Sequence, residues 1–176
     1  MYDQEKFRIA HIKEFDIENG DGVGVTLFVQ GCTHHCKNCH NPQTWDFNGG
    51  EEFSVECFRR LIRICANPNI KRLTISGGDP FDNIQFTRYI ADWFKSVFPS
   101  KNLWIYTGYD FEDLLNNPNA KQIIEMCDVI VDGEFQSDKM SPNLVFKGSS
   151  NQRIIDVQAS LNKGKIIEDE LDPISY

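Results

Sequence analysis

The stretch GCTHHCKNCHNPQTW (residues 31–45) sets Cys32, Cys36 and Cys39 at the spacing C-x3-C-x2-C. Thiolates are soft ligands that suit zinc or iron–sulfur clusters. Closed sites of either kind usually take four ligands, and this loop offers three sulfurs. Three thiolates can hold three corners of a 4Fe–4S cube and leave the fourth iron open to a substrate, much as catalytic zinc keeps one position free. The competing reading is a zinc ion completed by His34, His35 or His40. Residues adjacent to a ligand seldom fold back onto the same ion, and paired C-x2-C units are the commoner structural zinc spacing. An electron-transfer ferredoxin cluster fits poorly, because it needs four cysteines and a C-P ending absent here. Cys57 and Cys65 lie in a helical pattern and Cys127 at a helix–strand junction, so all three read as small core hydrophobes.

Such a loop needs rigid elements to hold it. VGVTLFVQ (23–30) is short, apolar and β-branched, and predicts a buried strand running straight into the cysteines. Ser54 predicts the N-cap of a helix to residue 65, with Val55, Phe58, Leu61, Ile62 and Cys65 at helical spacing and Pro68 just beyond. KRLTIS (71–76) predicts a second strand, closed by Gly77 and Gly78. A helix over 83–98 follows, with Phe86, Ile90, Trp93, Phe94 and Val97 as its apolar stripe. NLWIYT predicts a third strand ending at Gly108. Asp110 predicts the cap of a short helix that Pro118 interrupts, with helix resuming over 120–126. DVIVD predicts a fourth strand, and LVFK and RIIDV predict two late, short ones.

Strands alternating with helices imply an α/β fold with a mostly parallel sheet. In such sheets the chemistry lies beyond the carboxyl ends of the strands. The cysteine loop, SGGDP, TGYD and DGEF each follow a strand. They are therefore expected to converge on one site, although they are far apart in sequence.

The chain has 176 residues, about one domain's worth, and no repeat or long linker divides it. A single domain over 1–176 is expected, with a core over 15–157 and a C-terminal tail over 158–176. A net charge of −8 argues against nucleic-acid binding, which demands a basic face. The start MYDQEKFRIA lacks the apolar run of a signal peptide, and no stretch approaches the roughly 20 apolar residues of a membrane span. A soluble, cytoplasmic protein is expected. Six cysteines in that compartment point to metal or redox chemistry rather than disulfides.

C-x3-C-x2-C after the first strand, with GGDP after the second, resembles the radical S-adenosylmethionine (SAM) superfamily. GCTHHCKNCHNPQTW, SGGDPF, YTGYDFEDLL, CDVIVDGEF and FKGSSNQRIID narrow the resemblance to the anaerobic ribonucleoside-triphosphate reductase activating proteins, over about residues 15–157. The resemblance implies an open, partial (βα) barrel of the radical SAM type. It implies one 4Fe–4S cluster on Cys32, Cys36 and Cys39, with SAM chelating the fourth iron. Reductive cleavage of SAM would give methionine and a 5′-deoxyadenosyl radical, which takes hydrogen from a glycine of the reductase. The implied partners are the reductase large subunit and an electron donor such as flavodoxin or ferredoxin.

Around the cofactor, the resemblance implies Gly77 and Gly78, whose carbonyls accept from the SAM ammonium, and Asp79, where many superfamily members carry Glu. It implies Thr107 and Gly108 near the ribose, and His40 as a contact to cluster or SAM. Asn38 stands where many members place an aromatic residue. Asp132 and Gly133 are expected to border the approach of the target glycine. Trp45 reads as a shield for the cluster or as core, and Arg153 as a partner for the SAM carboxylate or as a solvated strand edge. Three alternatives stand beside this reading: a small-molecule radical SAM enzyme such as a 7-carboxy-7-deazaguanine synthase, an activase of another glycyl-radical enzyme, and a zinc-binding interaction module.

Overall fold

The computed structural model describes residues 7–169. In chain order its elements are β1 (Arg8–Asp16), β2 (Gly24–Val29), β3 (Glu51–Glu52), α1 (Val55–Cys65), β4 (Arg72–Gly77), α2 (Ile84–Val97), β5 (Asn102–Tyr106), α3 (Phe111–Leu115), α4 (Pro118–Ile124), β6 (Val129–Asp132), β7 (Arg153–Asp156) and α5 (Val157–Lys163). The strands form one mixed sheet of order β3-β1-β2-β4-β5-β6-β7. Its centre, β2-β4-β5-β6, is parallel, and antiparallel strands flank it on both sides.

Most of the expected elements form for the expected reasons. Ser54 caps α1, its hydroxyl accepting from the Cys57 amide at 3.2 Å. Pro118 starts α4 instead of interrupting a helix. It occupies the first helical turn, where a missing N–H costs nothing, and Asn117 caps it. RIIDV forms β7, antiparallel to β6.

LVFK (144–147) does not form a strand. Phe146 adopts φ 52°, which breaks an extended run. Its ring turns edge-on to Trp104, and its carbonyl accepts from the Tyr106 hydroxyl at 2.8 Å. Three elements have no counterpart in the sequence reading: β1, the two-residue β3 and α5. β1 carries register shifts between Ile9 and His11 and between Lys13 and Asp16, which erase the period-two pattern of a half-buried strand. α5 is only 7 residues long, capped by Asp156 and ended by Gly164 in the left-handed region.

The two faces of the sheet differ. Leu73, Ile75, Leu103, Ile105 and Ile130 face the side where α1, α2, α3 and α4 pack, in one large apolar core. Each such fully buried side chain contributes about 2 kcal/mol of burial. Successive right-handed crossovers advance in one direction across the sheet, so the helices gather on that side. The alternate residues point the other way. Trp104, Val129, Val131 and Ile154 form a small second cluster against Tyr106 and Phe146.

Near the amino ends of β2 and β4 the helix-free face holds a buried polar network. The Arg72 guanidinium donates to the Asp16 carbonyl and to the Thr74 hydroxyl, at 2.9 and 2.7 Å. Burial pushes the Asp16 carboxyl up, but hydrogen bonds from the Thr26 hydroxyl, the Glu18 amide, Asn19 and Lys13 overcome this and hold it at about 2. Among the described residues no helix is long and apolar enough to cross a membrane.

Candidate functional site

An open cavity of about 340 Å³ lies at the carboxyl ends of the parallel strands and runs onto the helix-free face. Cys32, Cys36, Cys39, His40, Gly77, Gly78, Asp79, Thr107 and Gly108 all line it. These nine residues thus reach one space, whereas His35 and Arg153, also suggested for metal or cofactor, do not line it. Glu18, Asn19, Ser76, Tyr106 and Phe135 line it as well. Glu18 and Asn19 sit in a loop with no motif to mark it. Ser76 and Tyr106 follow from strand alternation, as they are the last outward residues on the helix-free side of β4 and β5.

The cysteine loop is built from both ends. At its base the buried Gln30 side chain donates to the carbonyls of Gln43 and Asp46, at 2.9 and 2.7 Å. The backbone is tied there too, from Gly31 N to Thr44 O and from Cys32 N to Trp45 O. Cys36 to Cys39 closes as a four-residue turn, with Cys39 N donating to Cys36 O at 3.1 Å and Asn38 at φ 58°. Asn accepts that left-handed conformation more readily than an aromatic residue does, which explains the departure at this position. The Trp45 ring packs edge-on to His35 at 4.8 Å and does not line the cavity.

One flank of the loop is locked to the two following turns. Thr33 donates to the Asp82 carboxylate from its amide at 2.7 Å and from its hydroxyl at 2.9 Å, and the Tyr109 hydroxyl donates to the same carboxylate at 2.6 Å. His34 Nε2 sits 3.1 Å from Asp79 Oδ2. That carboxylate lifts the His34 imidazole above its ordinary pKa, against the pull of burial. Asp79 is 2 % exposed. Its hydrogen-bond donors are the Thr107 hydroxyl at 3.0 Å, the Gly108 amide at 2.8 Å and the Phe81 amide at 2.9 Å. Its carboxylate therefore joins β4, β5 and the cysteine loop at one point.

The glycines answer to the same packing. A Cβ on Gly78 would lie 2.2 Å from the Gly31 carbonyl oxygen, and one on Gly108 would lie 2.7 Å from the His34 ring. Gly77 takes φ 106°, where a side chain is strained. Close approach of protein segments already requires all three.

The other flank faces the loop after β6. The His40 and Phe135 rings lie 4.7 Å apart, the Phe135 amide faces Cys36 Sγ, and Asn38 donates to the Ser137 hydroxyl at 3.3 Å. Arg153 does not face the cavity as a spare cation. It is engaged by Asp132 and by Glu112, whose Oε2 is 2.8 Å away, and it ties β7 to β6 and α3.

The three sulfurs line the cavity together. The Asn41 amide donates to Cys39 Sγ at 3.3 Å, and amides near Cys32 (His34, His35) and Cys36 (Phe135) favour their thiolates. Burial, then the nearby Glu134, pushes the Cys36 thiol up to about 11, and burial raises Cys32 too. A metal must displace those protons to bind. Among the described residues no three His, Cys, Asp or Glu side chains converge as one ion requires. A cluster makes no such demand, because each thiolate binds its own iron. The histidine rings proposed for zinc are each turned to another partner: His34 to Asp79, His35 to Trp45 and His40 to Phe135.

A loop of three free cysteines beside a glycine-rich turn, on the helix-free face of an α/β sheet, defines an iron–sulfur protein class. Residues 18–155 match the family profile described as a 4Fe-4S single cluster domain. The chain is 39 % identical over 143 residues to the anaerobic ribonucleoside-triphosphate reductase-activating protein of Pasteurella multocida (strain Pm70), covering 79 % of this chain and 90 % of that one. It is 37 % identical over 141 residues to the protein of that name from Escherichia coli (strain K12), covering 78 % and 90 %. The counterpart from Enterobacteria phage T4 is 36 % identical over 141 residues, covering 79 % and 87 %. The chain belongs to the anaerobic ribonucleoside-triphosphate reductase-activating protein family.

Proposed function

We propose that the chain activates an anaerobic ribonucleoside-triphosphate reductase as a radical SAM enzyme. The observation that carries this reading is convergence. Three free cysteines, the Gly77-Gly78 turn and the Thr107-Gly108 turn, from three separate strand ends, line one cavity. The relatives' shared name supplies the target.

In this reading Cys32, Cys36 and Cys39 hold a 4Fe–4S cluster by three of its irons. A cluster held there would supply the electron for reductive cleavage of SAM. The chain's own residues bind and position. The carbonyls of Gly77 and Gly78 are the acceptors for the SAM ammonium, and Thr107 and Gly108 border the ribose. Asp79 keeps both turns in register with the cysteine loop through the bonds described above. His40, on the cavity wall, borders the cluster. Hydrogen would be taken from a glycine of the large subunit entering the cavity, which Gly133 lines; Asp132, expected beside it, is instead buried and engaged by Arg153 and the Phe111 amide. An electron donor such as flavodoxin or ferredoxin serves the cluster, in the reducing cytoplasm where six free cysteines persist.

The sheet itself is read as an open, partial barrel. Two features support this: four parallel strands added in one direction, and a cavity on the face away from the helices. The test is anaerobic incubation of the reconstituted chain with SAM, a reductant and the reductase. The expected result is a glycyl-radical EPR doublet on the reductase with 5′-deoxyadenosine released, both lost in Cys36→Ala. SAM cleavage with no radical on the reductase would overturn the target and favour a small-molecule substrate.

A further inference from the structure

The motif SSNQ (149–152) has no part in holding the cluster or SAM in the reading above. Its polar groups nevertheless have a common destination. Gln152 Nε2 donates to the Gly133 carbonyl at 2.9 Å. Asn151 Nδ2 donates to the Glu134 carbonyl at 2.9 Å. The buried Ser149 hydroxyl accepts from the Gln136 amide at 3.1 Å. Gln152 Oε1 turns back to accept from the Gly148 and Ser149 amides, at 2.8 and 3.2 Å, which fixes the motif itself. Side chains of the motif thus bind the backbone on both sides of Phe135 and leave that residue to point at the cysteine loop. There its ring meets His40, and its amide reaches Cys36 Sγ. From behind, Gly148 gives it room, since a Cβ there would sit 3.0 Å from the ring.

We infer that SSNQ is a clasp that fixes residues 133–136 over the cysteine loop, making Phe135 a cover for the cluster and Gln152 its positioning residue. The inference rests on the three-cysteine cluster proposed above. Outer groups that orient a ligand commonly matter about 10- to 100-fold for metal retention. Amide bonds to cysteine sulfur and solvent exposure also set a cluster's potential. A loose loop would change both without touching a ligand.

The test uses reconstituted wild type, Gln152→Ala and Phe135→Ala, kept anaerobic. Cluster loss to a chelator is followed by absorbance, and the midpoint potential by EPR-monitored titration; neither readout needs turnover. Loss roughly tenfold faster in both variants, with a shifted midpoint in Gln152→Ala and far-UV circular dichroism unchanged, is the expected result. Wild-type loss rates and midpoints in both variants would overturn the clasp. Should Gln152→Ala fail to fold, the half-buried Phe135→Ala decides alone on the loss rate. A wild-type chain that takes up no cluster would overturn the three-cysteine reading, and the clasp with it, before any variant is compared.

Discussion

The two flanks of the cysteine loop are held by different physics. On the Thr33 and His34 side, two carboxylates take up the donors of three segments, and Asp79 does so while almost fully buried. On the Asn38 and His40 side, the grip is one ring contact, one amide to sulfur and a 3.3 Å side-chain bond. Charge-assisted bonds to a buried carboxylate are short, directional and costly to leave unmade. Ring contacts are softer and tolerate movement. The first flank therefore belongs to the fold as much as to the site, whereas the second serves the site alone. A change on the first flank should cost stability, and the cluster as well where a whole carboxylate is removed, whereas a change on the second should cost the cluster only, as tested with Phe135.

The largest expected effect is at Asp79. Asp79→Ala leaves the Thr107 hydroxyl and the Gly108 and Phe81 amides without their acceptor. With each unmet buried donor costing about 1–3 kcal/mol, a loss near 4 kcal/mol is expected. Urea unfolding of the cluster-free chain measures it, and iron retention should fail in parallel.

Asp16, in the buried network near the amino ends of β2 and β4, separates stability from site. Asp16→Asn should cost about 2 kcal/mol, because the folded carboxyl is held at about 2, well below its ordinary value. A depressed carboxyl stabilises the fold above its unfolded pKa. Its contribution is lost as pH falls, so the gap between wild type and variant should close between about pH 4 and 2. Iron retention at neutral pH should stay at the wild-type level, and chelator challenge of the loaded variant checks this.

The smallest effect is expected at Tyr109. Tyr109→Phe removes one bond to Asp82, while Thr33 keeps its own two. A loss of about 1 kcal/mol in urea unfolding is expected, with the cluster retained. Cluster loss in this variant would mean that the first flank is less redundant than its bonds suggest.

The convergence of the motifs was legible in the sequence because each follows a strand, and parallel strands present their ends together. The reason for several of those residues was not. Gly78 and Gly108 look like ligand-side glycines, yet Gly31 and His34 press on them. Asp79 looks like a cofactor contact, yet its oxygens are taken up by three segments of the chain. Arg153 is already paired with Asp132 and Glu112. The partners of Arg153 lie 21 and 41 residues away, and no local pattern encodes them. β1 escaped for the opposite reason, as its bulges erase a local pattern that a regular strand would show. LVFK carries strand composition, but Phe146 is turned out of the extended region to cover Trp104.

The function proposed above requires that three cysteines leave one iron of a 4Fe–4S cluster open to SAM. The direct measurement is the EPR spectrum of the anaerobically reconstituted, dithionite-reduced chain, with and without SAM. An open fourth iron predicts a reduced 4Fe–4S signal that changes shape when SAM is added. Tightly bound zinc in place of a cluster, or a cluster signal indifferent to SAM, would contradict it.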